Sequence, residues 1–528
     1  MEQLTEMDAN FLAQESVETP MHISPVVIYD QSHRAGGKVR FKEILEVFRR
    51  SLHKSAIFRR KLAGGAMGLD TPYWVEDPSF DLEFHVRHIA LPKPGDWRQF
   101  CILLSRLQSR GLDMQRPLWE AYVIEGLNQV EGLPDNSFAI MIKIHHAAID
   151  GVSGAEIITA LHSLSDEVLP PEEDDNWQGE SDPSPWRVWS NAYMHNLRRP
   201  LKFVETVGTL VPAVIRARQD EGEESRKFLS ERTRFNDRVS SARVTDALIM
   251  DLDEVKRIRK ALGGVMTIND IMVSVVGGGL RRYLESKGEL PVESMVAAAP
   301  VSVRAERNAA SKGNQVSMMG ISMATDIDDP VERLMAIHNS SEQSKAFSGK
   351  IGGSIMIDLS EMLIPSVMGW SFKAVSAAVV RSHAPVMPFH VVISNVPGPQ
   401  FPLYLAGARV SLMMGLGPVL HMMGLFHAVL SGAGKIAINF IACREMLPDP
   451  EFYRECLADA YSELLTAAKT QEKATAKRPA KKKAAAKAKK SGARSKAKPN
   501  TAAKTKPKTK AKAKTKAKPK TTAQRVSR

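Results

Sequence analysis

The segment Phe138-Ala-Ile-Met-Ile-Lys-Ile-His-His-Ala-Ala-Ile-Asp-Gly151 runs from an almost unbroken apolar stretch directly into two histidines. A short apolar run with β-branched residues predicts a buried strand. Gly151 permits the positive φ of a tight turn, and Ser153-Gly-Ala-Glu156 has the pattern of a capping box. The segment therefore predicts a strand, a sharp turn and a helix, with a His–Asp pair at the turn.

Three of these residues have the chemistry of a general-base site. Neighbouring side chains of a strand face opposite ways, so only one of His145 and His146 can point into a given cavity. A histidine can take a proton from an alcohol near neutral pH, and the carboxylate of Asp150 could orient the ring or hold the turn. A metal site is a weaker alternative, because both histidines would have to leave strand geometry and Asp150 would be the only third ligand.

The sequence around this segment predicts a mixed α/β protein with two comparable halves. Residues 1–165 alternate strand-like and helical runs, and residues 242–469 do the same. Residues 166–241 between them begin with an acidic, proline-containing linker and continue into a crossover helix. Val410–Gly434 is the longest stretch without a formal charge, and it predicts core strands rather than a membrane-spanning helix.

Charge divides the chain sharply. Residues 470–528 hold 23 Lys and Arg and one acid, whereas residues 1–469, here called the body, hold 49 basic and 58 acidic residues. The basic tail has almost no large apolar residues, so we expect it to be disordered. The mildly acidic body does not have the charge of a nucleic-acid-binding domain.

Several other site classes are disfavoured. The three cysteines have no metal-ligand or redox spacing, and the first residues have no apolar core of a signal peptide, which predicts a cytoplasmic protein. There is no Gly-x-Ser-x-Gly elbow, Walker-A loop or dinucleotide fingerprint. We therefore expect neither a metal nor a bound cofactor, and direct transfer rather than a covalent enzyme intermediate.

His145–Gly151 resembles the HHxxxDG motif of the CoA-dependent acyltransferase superfamily. The chain more specifically resembles bacterial wax ester synthase/acyl-CoA:diacylglycerol acyltransferases, because further blocks follow in the family's order over residues 1–467. These blocks are Pro20-Met-His22, Phe58-Arg-Arg-Lys-Leu62, Tyr73-Trp-Val-Glu-Asp77, Arg116-Pro-Leu-Trp-Glu120, Asn269-Asp270, Pro300-Val-Ser-Val-Arg304, Gly313-Asn-Gln315 and Ser394-Asn-Val-Pro-Gly-Pro399. The lysine-rich tail departs from the family, which does not require one.

The resemblance implies two chloramphenicol-acetyltransferase-like domains with a channel between them. Acyl-CoA would be a substrate, and diacylglycerol or a long-chain alcohol would be the acceptor. His146 would be the general base, beside His145 and Gly151, and Asp150 would be structural, with Arg304 as its candidate partner.

The accessory motifs have two interpretations each. Pro117, Leu118 and Trp119 could line the channel mouth, or they could simply start a strand with a buried indole. Asn269 and Asp270 could contact substrate or the catalytic loop, or they could cap a helix after Thr267.

The expected partners follow from the family resemblance and from the positive charge of the tail. The substrates imply peripheral association with the inner face of the membrane or with lipid droplets, through the tail or the apolar faces of Pro200–Ile215 and Leu363–Val380. The tail could instead bind DNA without sequence preference. Two rival functions are acyl transfer to another hydroxylated lipid and a non-catalytic lipid- or nucleoid-tethering role through the tail.

Overall fold

The computed structural model describes most of the body and the start of the tail. The described residues are 2–34, 36–64, 70–149, 157–168, 177–194, 197, 230–302, 316–351, 373–374, 377–382 and 385–491. Met1–Glu472 forms one compact unit, and Lys473–Arg528 forms a second.

Strands and helices alternate along the described residues, as the sequence predicts. The strands are β1 (Glu2–Gln3), β2 (His22–Asp30), β3 (Arg60–Ala63), β4 (Tyr73–Glu76), β5 (Val86–Ala90), β6 (Trp119–Leu127), β7 (Ser137–His145), β8 (Ser230–Glu231), β9 (Arg243–Asp251), β10 (Val296–Ser302), β11 (Val316–Ser322), β12 (Val386–Met387), β13 (Val391–Pro397), β14 (Tyr404–Leu405), β15 (Ala408–Leu416), β16 (Leu425–Gly432) and β17 (Lys435–Cys443). The helices are α1 (Glu6–Gln14), α2 (Phe41–Ser51), α3 (Leu82–His85), α4 (Trp97–Gln108), α5 (Leu252–Ala261), α6 (Ile268–Lys287), α7 (Pro330–Ile351) and α8 (Pro450–Ser491). Residues 157–161 and 185–194 are also helical.

Two six-stranded mixed sheets form the framework, which confirms the predicted fold class. The first sheet has the order β14-β15-β2-β7-β6-β5, and the second has the order β11-β10-β13-β16-β17-β9. In the first sheet β7 lies between β2 and β6 and is antiparallel to both. In the second sheet β13 is parallel to β10 and to β16.

The stretch Val410–Gly434 forms core strands, as predicted, but it serves both sheets. β15 pairs antiparallel with β2 of the first sheet, while β16 pairs with β13 and β17 of the second. Each half of the chain therefore contributes to the first sheet. The predicted limits of the two domains, at residues 165 and 242, stay predictions.

β7 is buried along its whole length because both of its faces are covered. Phe138, Ile140, Ile142 and Ile144 pack in a cluster with residues of α2, such as Phe48. Ala139 and Met141 belong to a different cluster, which extends through the second sheet and α6. A strand buried on both faces reads as a continuous apolar run, which is how it appears in the sequence.

The last helix differs from the prediction for the tail. α8 continues to Ser491, about twenty residues into the stretch that we expected to be disordered. Alanine, lysine and glutamate are strong helix formers, and extending an existing helix requires no new nucleus. Residues 492–528 lie outside the described part of the chain.

The predicted lipid-facing helices fall largely outside the described residues. This applies to all of Pro200–Ile215 and to most of Leu363–Val380. Among the described helices, none combines the length and the apolar character that crossing a bilayer would need.

Candidate active site

The two histidines lie where β7 ends. The amide of His145 donates to the carbonyl of Leu118 at 3.0 Å, and the amide of His146 donates to the carbonyl of Met21 at 2.7 Å. The amide of Ala148 then bonds back to the carbonyl of His145 at 2.9 Å, which closes a turn. The backbone of both histidines is therefore fixed by neighbouring segments on two sides.

His145 is completely buried, and both of its ring nitrogens have partners. Nδ1 accepts a hydrogen bond from the amide of Ala147 at 3.0 Å, so the proton of a neutral ring is on Nε2. Nε2 donates to the carboxylate of Glu15 at 2.5 Å. His145 is thus held in one tautomer and one orientation, and neither nitrogen is left for a substrate.

His146 is partly exposed, in contrast to its neighbour. One face of its ring stacks on Phe11, with 4.1 Å between ring centroids and 21° between planes. Burial among protein atoms, together with the nearby His145, lowers the pKa of His146 to about 4. The imidazole is therefore neutral at physiological pH, which is the state that a general base requires.

The N-terminal segment supplies one side-chain contact to each of the two histidines. α1 carries Phe11 and Glu15 follows its end, so one short helix positions His146 by stacking and His145 by a charge-assisted hydrogen bond. Sequence reasoning missed both residues. An acid or an aromatic residue more than a hundred positions from the motif carries no local signal of this contact.

His22 supports the pair from the neighbouring strand. It lies opposite His145 in the β2–β7 register and is fully buried. Its Nε2 lies 3.0 Å from the carbonyl oxygen of Gln108 at the end of α4, and the Gln108 side chain donates to the carbonyl of His22 at 3.1 Å. Burial, with Lys143 and His145 nearby, holds the pKa of His22 well below its usual range. These contacts tie the strand end to α4.

Pro117, Leu118 and Trp119 are all buried, and they lie at the start of β6 next to the end of β7. The carbonyl of Leu118 receives the His145 amide, and Trp119 pairs with Ile144 in the β6–β7 register. The indole N–H of Trp119 donates to the carbonyl of Phe58 at 3.0 Å. This geometry favours the strand-start interpretation, and the channel role stays a prediction.

Asn269 and Asp270 have different surroundings although they are neighbours. Asp270 is fully buried, accepts the Thr267 amide at 2.8 Å in a capping box, and lies 2.9 Å from Nδ1 of His338 on α7. Asn269 is partly exposed and accepts a hydrogen bond from the Asn395 side chain at 3.2 Å. Asp270 is thus a helix cap, and Asn269 joins two motifs that are distant in the sequence.

The remaining predicted site residues, Asp150, Gly151 and Arg304, lie outside the described residues. Their proposed pairing and their distance from the histidines stay predictions.

No cysteine has the environment of an activated nucleophile. Cys101, Cys443 and Cys456 are buried free thiols. Burial raises the pKa of all three, that of Cys456 to about 11. Since the thiolate is the nucleophilic form, these side chains are inert at neutral pH.

Comparison with known proteins identifies the family of this site. The sequence model of the wax ester synthase/diacylglycerol acyltransferase catalytic domain matches residues 4–272, just over half of the chain. The chain belongs to this family. The C-terminal domain of the same family matches residues 312–465. The chain is therefore an O-acyltransferase.

Relatives in the wax ester synthase/diacylglycerol acyltransferase family match most of the chain. A Mycobacterium tuberculosis protein named diacylglycerol O-acyltransferase is 31% identical over 471 residues, covering 88% of this chain and 90% of its own. An Acinetobacter baylyi protein named O-acyltransferase WSD is also 31% identical, over 455 residues, covering 85% and 93%. The structure of a wax ester synthase/diacylglycerol acyltransferase from Marinobacter aquaeolei superimposes with a TM-score of 0.64 at 26% identity, covering 89% of this chain and 100% of that one.

Proposed function

We propose that the protein transfers a long-chain acyl group from acyl-CoA to diacylglycerol, with His146 as the general base. The observation that carries this proposal is the state of His146, which is neutral, partly exposed and fixed at the end of a buried strand. Family membership supplies the reaction class.

The reaction would proceed by direct transfer. His146 takes the proton of the acceptor hydroxyl as the oxygen attacks the thioester carbonyl. The C–S bond then breaks, and the CoA thiolate receives a proton from the imidazolium, which restores the neutral ring. Holding two large substrates in register would supply much of the remaining rate gain. Asp150 would hold the turn after His146, with Arg304 as its candidate partner.

Neither a metal nor an acyl-enzyme has a part in this scheme. The buried cysteines with raised pKa values support the part of this scheme that has no acyl-enzyme on a thiol. Acyl-CoA is a substrate, and no other cofactor is invoked.

The acceptor can be determined with one assay. Labelled palmitoyl-CoA is offered with diacylglycerol and with hexadecanol in separate reactions. We expect labelled triacylglycerol as the main product and wax ester as a lesser one. Label in neither product would favour another hydroxylated lipid, while absence of any labelled ester from a wider panel of acceptors would favour the non-catalytic tethering role.

We also propose peripheral binding to a lipid surface at the cytoplasmic face. Helical residues 185–194 support this, because Val188 and Ala192 pack against Tyr73. Large aromatic side chains of the same helix are exposed to solvent. Trp186 is 83% exposed and Tyr193 is 69% exposed. Exposed tryptophan and tyrosine on one helix are typical of side chains that enter the interfacial region of a bilayer. DNA binding through the tail is the alternative.

A further inference from the structure

Four arginines surround a cavity of about 330 Å³ beside α4. One wall is a single face of that helix, since Arg98, Ile102, Ser105 and Arg106 follow helical spacing. The opposite wall is the start of β9 and the loop after β17, and it contributes Arg243, Val244, Arg444 and Pro448. No acidic residue is among these lining residues.

Close ion pairs are few at this cluster within the described residues. Glu18 and Glu445 attract Arg243 from beyond ion-pair distance, and Glu445 also attracts Arg444. Arg98 pairs with Glu451 at 2.6 Å. The buried guanidinium of Arg243 donates only to backbone carbonyls, those of Glu18, Ser240 and Ala242. Across the described chain the guanidinium groups of Arg106 and Arg444 make no hydrogen bond and no ion pair.

Such a cluster is unfavourable by itself, because like charges repel and their fields add within a cleft. It is more notable in a body whose acidic residues outnumber its basic ones, 58 to 49. An anion in the cavity would remove this repulsion. Guanidinium groups match phosphate best, since their planar fork donates two parallel hydrogen bonds.

The cavity is close to the histidine pair. Arg243 donates to the carbonyl of Glu18, in the segment between Glu15 and His22. Ser105 lies one helical turn before Gln108, whose carbonyl oxygen lies 3.0 Å from the His22 ring. His22 lies opposite His145 in the β2–β7 register. A chain of contacts through Gln108 and His22 thus connects the cavity to the strand end that carries the histidines.

We propose that this arginine cavity binds the phosphate groups of coenzyme A, at the adenosine 3′,5′-bisphosphate end of the acyl donor. The inference rests on the proposed function, in which the donor is the only substrate that carries phosphate. Diacylglycerol and long-chain alcohols have none. The cavity would hold the nucleotide while the thioester reaches His146.

The test uses the full chain with the double variant Arg106→Ala/Arg444→Ala. Both residues are exposed, and neither guanidinium makes a hydrogen bond or an ion pair within the described residues. Arg409→Ala is the matched control, because Arg409 is an exposed arginine outside the cavity. Calorimetry measures binding of adenosine 3′,5′-bisphosphate to each protein. We expect the double variant to bind about 10- to 100-fold more weakly than wild type and Arg409→Ala to bind as wild type does.

A kinetic arm separates this inference from the proposed function. Each protein is given palmitoyl-CoA and, separately, palmitoyl-N-acetylcysteamine, a thioester without phosphate. We expect the kcat/KM preference for palmitoyl-CoA to fall about 10- to 100-fold in the double variant. An unchanged preference in an active double variant overturns the inference and leaves the proposed function intact. Wild type that turns over neither donor contradicts the proposed function, while the calorimetric result still stands.

A vesicle arm tests the other source of phosphate. Binding to vesicles with and without phosphatidate is compared for wild type and the double variant. If the double variant loses phosphatidate-dependent binding but binds adenosine 3′,5′-bisphosphate as wild type does, the cavity binds a lipid headgroup. This result would overturn the assignment to coenzyme A.

Discussion

His145 and His146 are adjacent in the chain, but their surroundings give them different chemistry. Both nitrogens of His145 are committed, one to Glu15 and one to the Ala147 amide. His146 is instead partly exposed as a residue, and its ring stacks on Phe11. Of the two histidines, His146 is therefore the one that we propose receives a proton from a substrate.

Replacing His146 by alanine should remove the proposed general base. We expect kcat to fall by about 10²–10⁴-fold, since loss of positioned acid–base catalysis has this size. The measurement is initial-rate kinetics with palmitoyl-CoA and diacylglycerol on folded, purified protein. His33→Ala, which changes an exposed histidine on another loop, is the control and should retain wild-type turnover. Near wild-type turnover in His146→Ala would exclude the mechanism.

The pH dependence should report the lowered pKa of His146. The ring is active when neutral, and its pKa in the folded protein is about 4. We therefore expect kcat/KM of the free enzyme to stay level from pH 8 to pH 6 and to decrease only as the pH falls through about 4. Circular dichroism at each pH gives the folded range, because other buried histidines with lowered pKa values, such as His22, make the protein less stable as pH falls below about 6.5. An inflection near 6.5 in folded protein would contradict this assignment.

Glu15 should act as a positioning residue through His145. Glu15→Gln keeps the size of the side chain but replaces a charged hydrogen bond with a neutral one. We expect kcat to fall about tenfold, in line with the loss of a charge-assisted bond, while KM for palmitoyl-CoA changes little. Glu6→Gln on the same helix is the matched control. A change in KM alone would place Glu15 in substrate binding instead.

At the scale of single elements, the sequence predicts those strands and helix ends that depend on a local pattern of residues. The apolar run before His145 predicts β7, and Thr267 with Asp270 predicts the start of α6. Both are present in the structure. Pattern cannot say which sheet a strand joins, so the pairing of β15 with β2 was not foreseen. The contacts that Phe11 and Glu15 make with the histidines were missed for the same reason, because only tertiary packing brings these two side chains to the motif.

The capping residue of α6 allows a prediction about stability. Asp270→Ala removes the acceptor of the Thr267 amide and leaves the buried His338 contact unmade. We expect the free energy of unfolding to fall by about 2 kcal/mol, the sum of a lost cap and a lost buried hydrogen bond. Urea denaturation measures it. Asp253→Ala, an exposed first-turn acid of α5, is the control and should cost less than about 0.5 kcal/mol. Equal effects of the two variants would refute the capping role.

At the scale of the whole molecule, the charges are separated between body and tail. The body has a slight excess of acid, and residues 470–528 carry 23 Lys and Arg with a single acid. Each basic residue near an anionic bilayer contributes about 1 kcal/mol within a Debye length. A fraction of the tail would therefore be enough to hold an acidic body at a surface that contains diacylglycerol.

Truncation after Glu472, where the first compact unit ends, tests this arrangement. The histidine pair, α1 and the arginine cavity all precede the cut, so we expect turnover of dispersed short-chain substrates to stay close to wild type. Binding to vesicles with anionic lipid should weaken, and raising the salt concentration should weaken full-length binding in the same way, because the attraction is screened. Co-sedimentation over a salt series measures both effects. If the truncated protein binds these vesicles as tightly as the full chain, the tail is not the tether, and helical residues 185–194 with their exposed aromatic side chains become the main contact. A mobility shift with DNA that is lost on truncation, together with unchanged vesicle binding, would favour the nucleoid alternative.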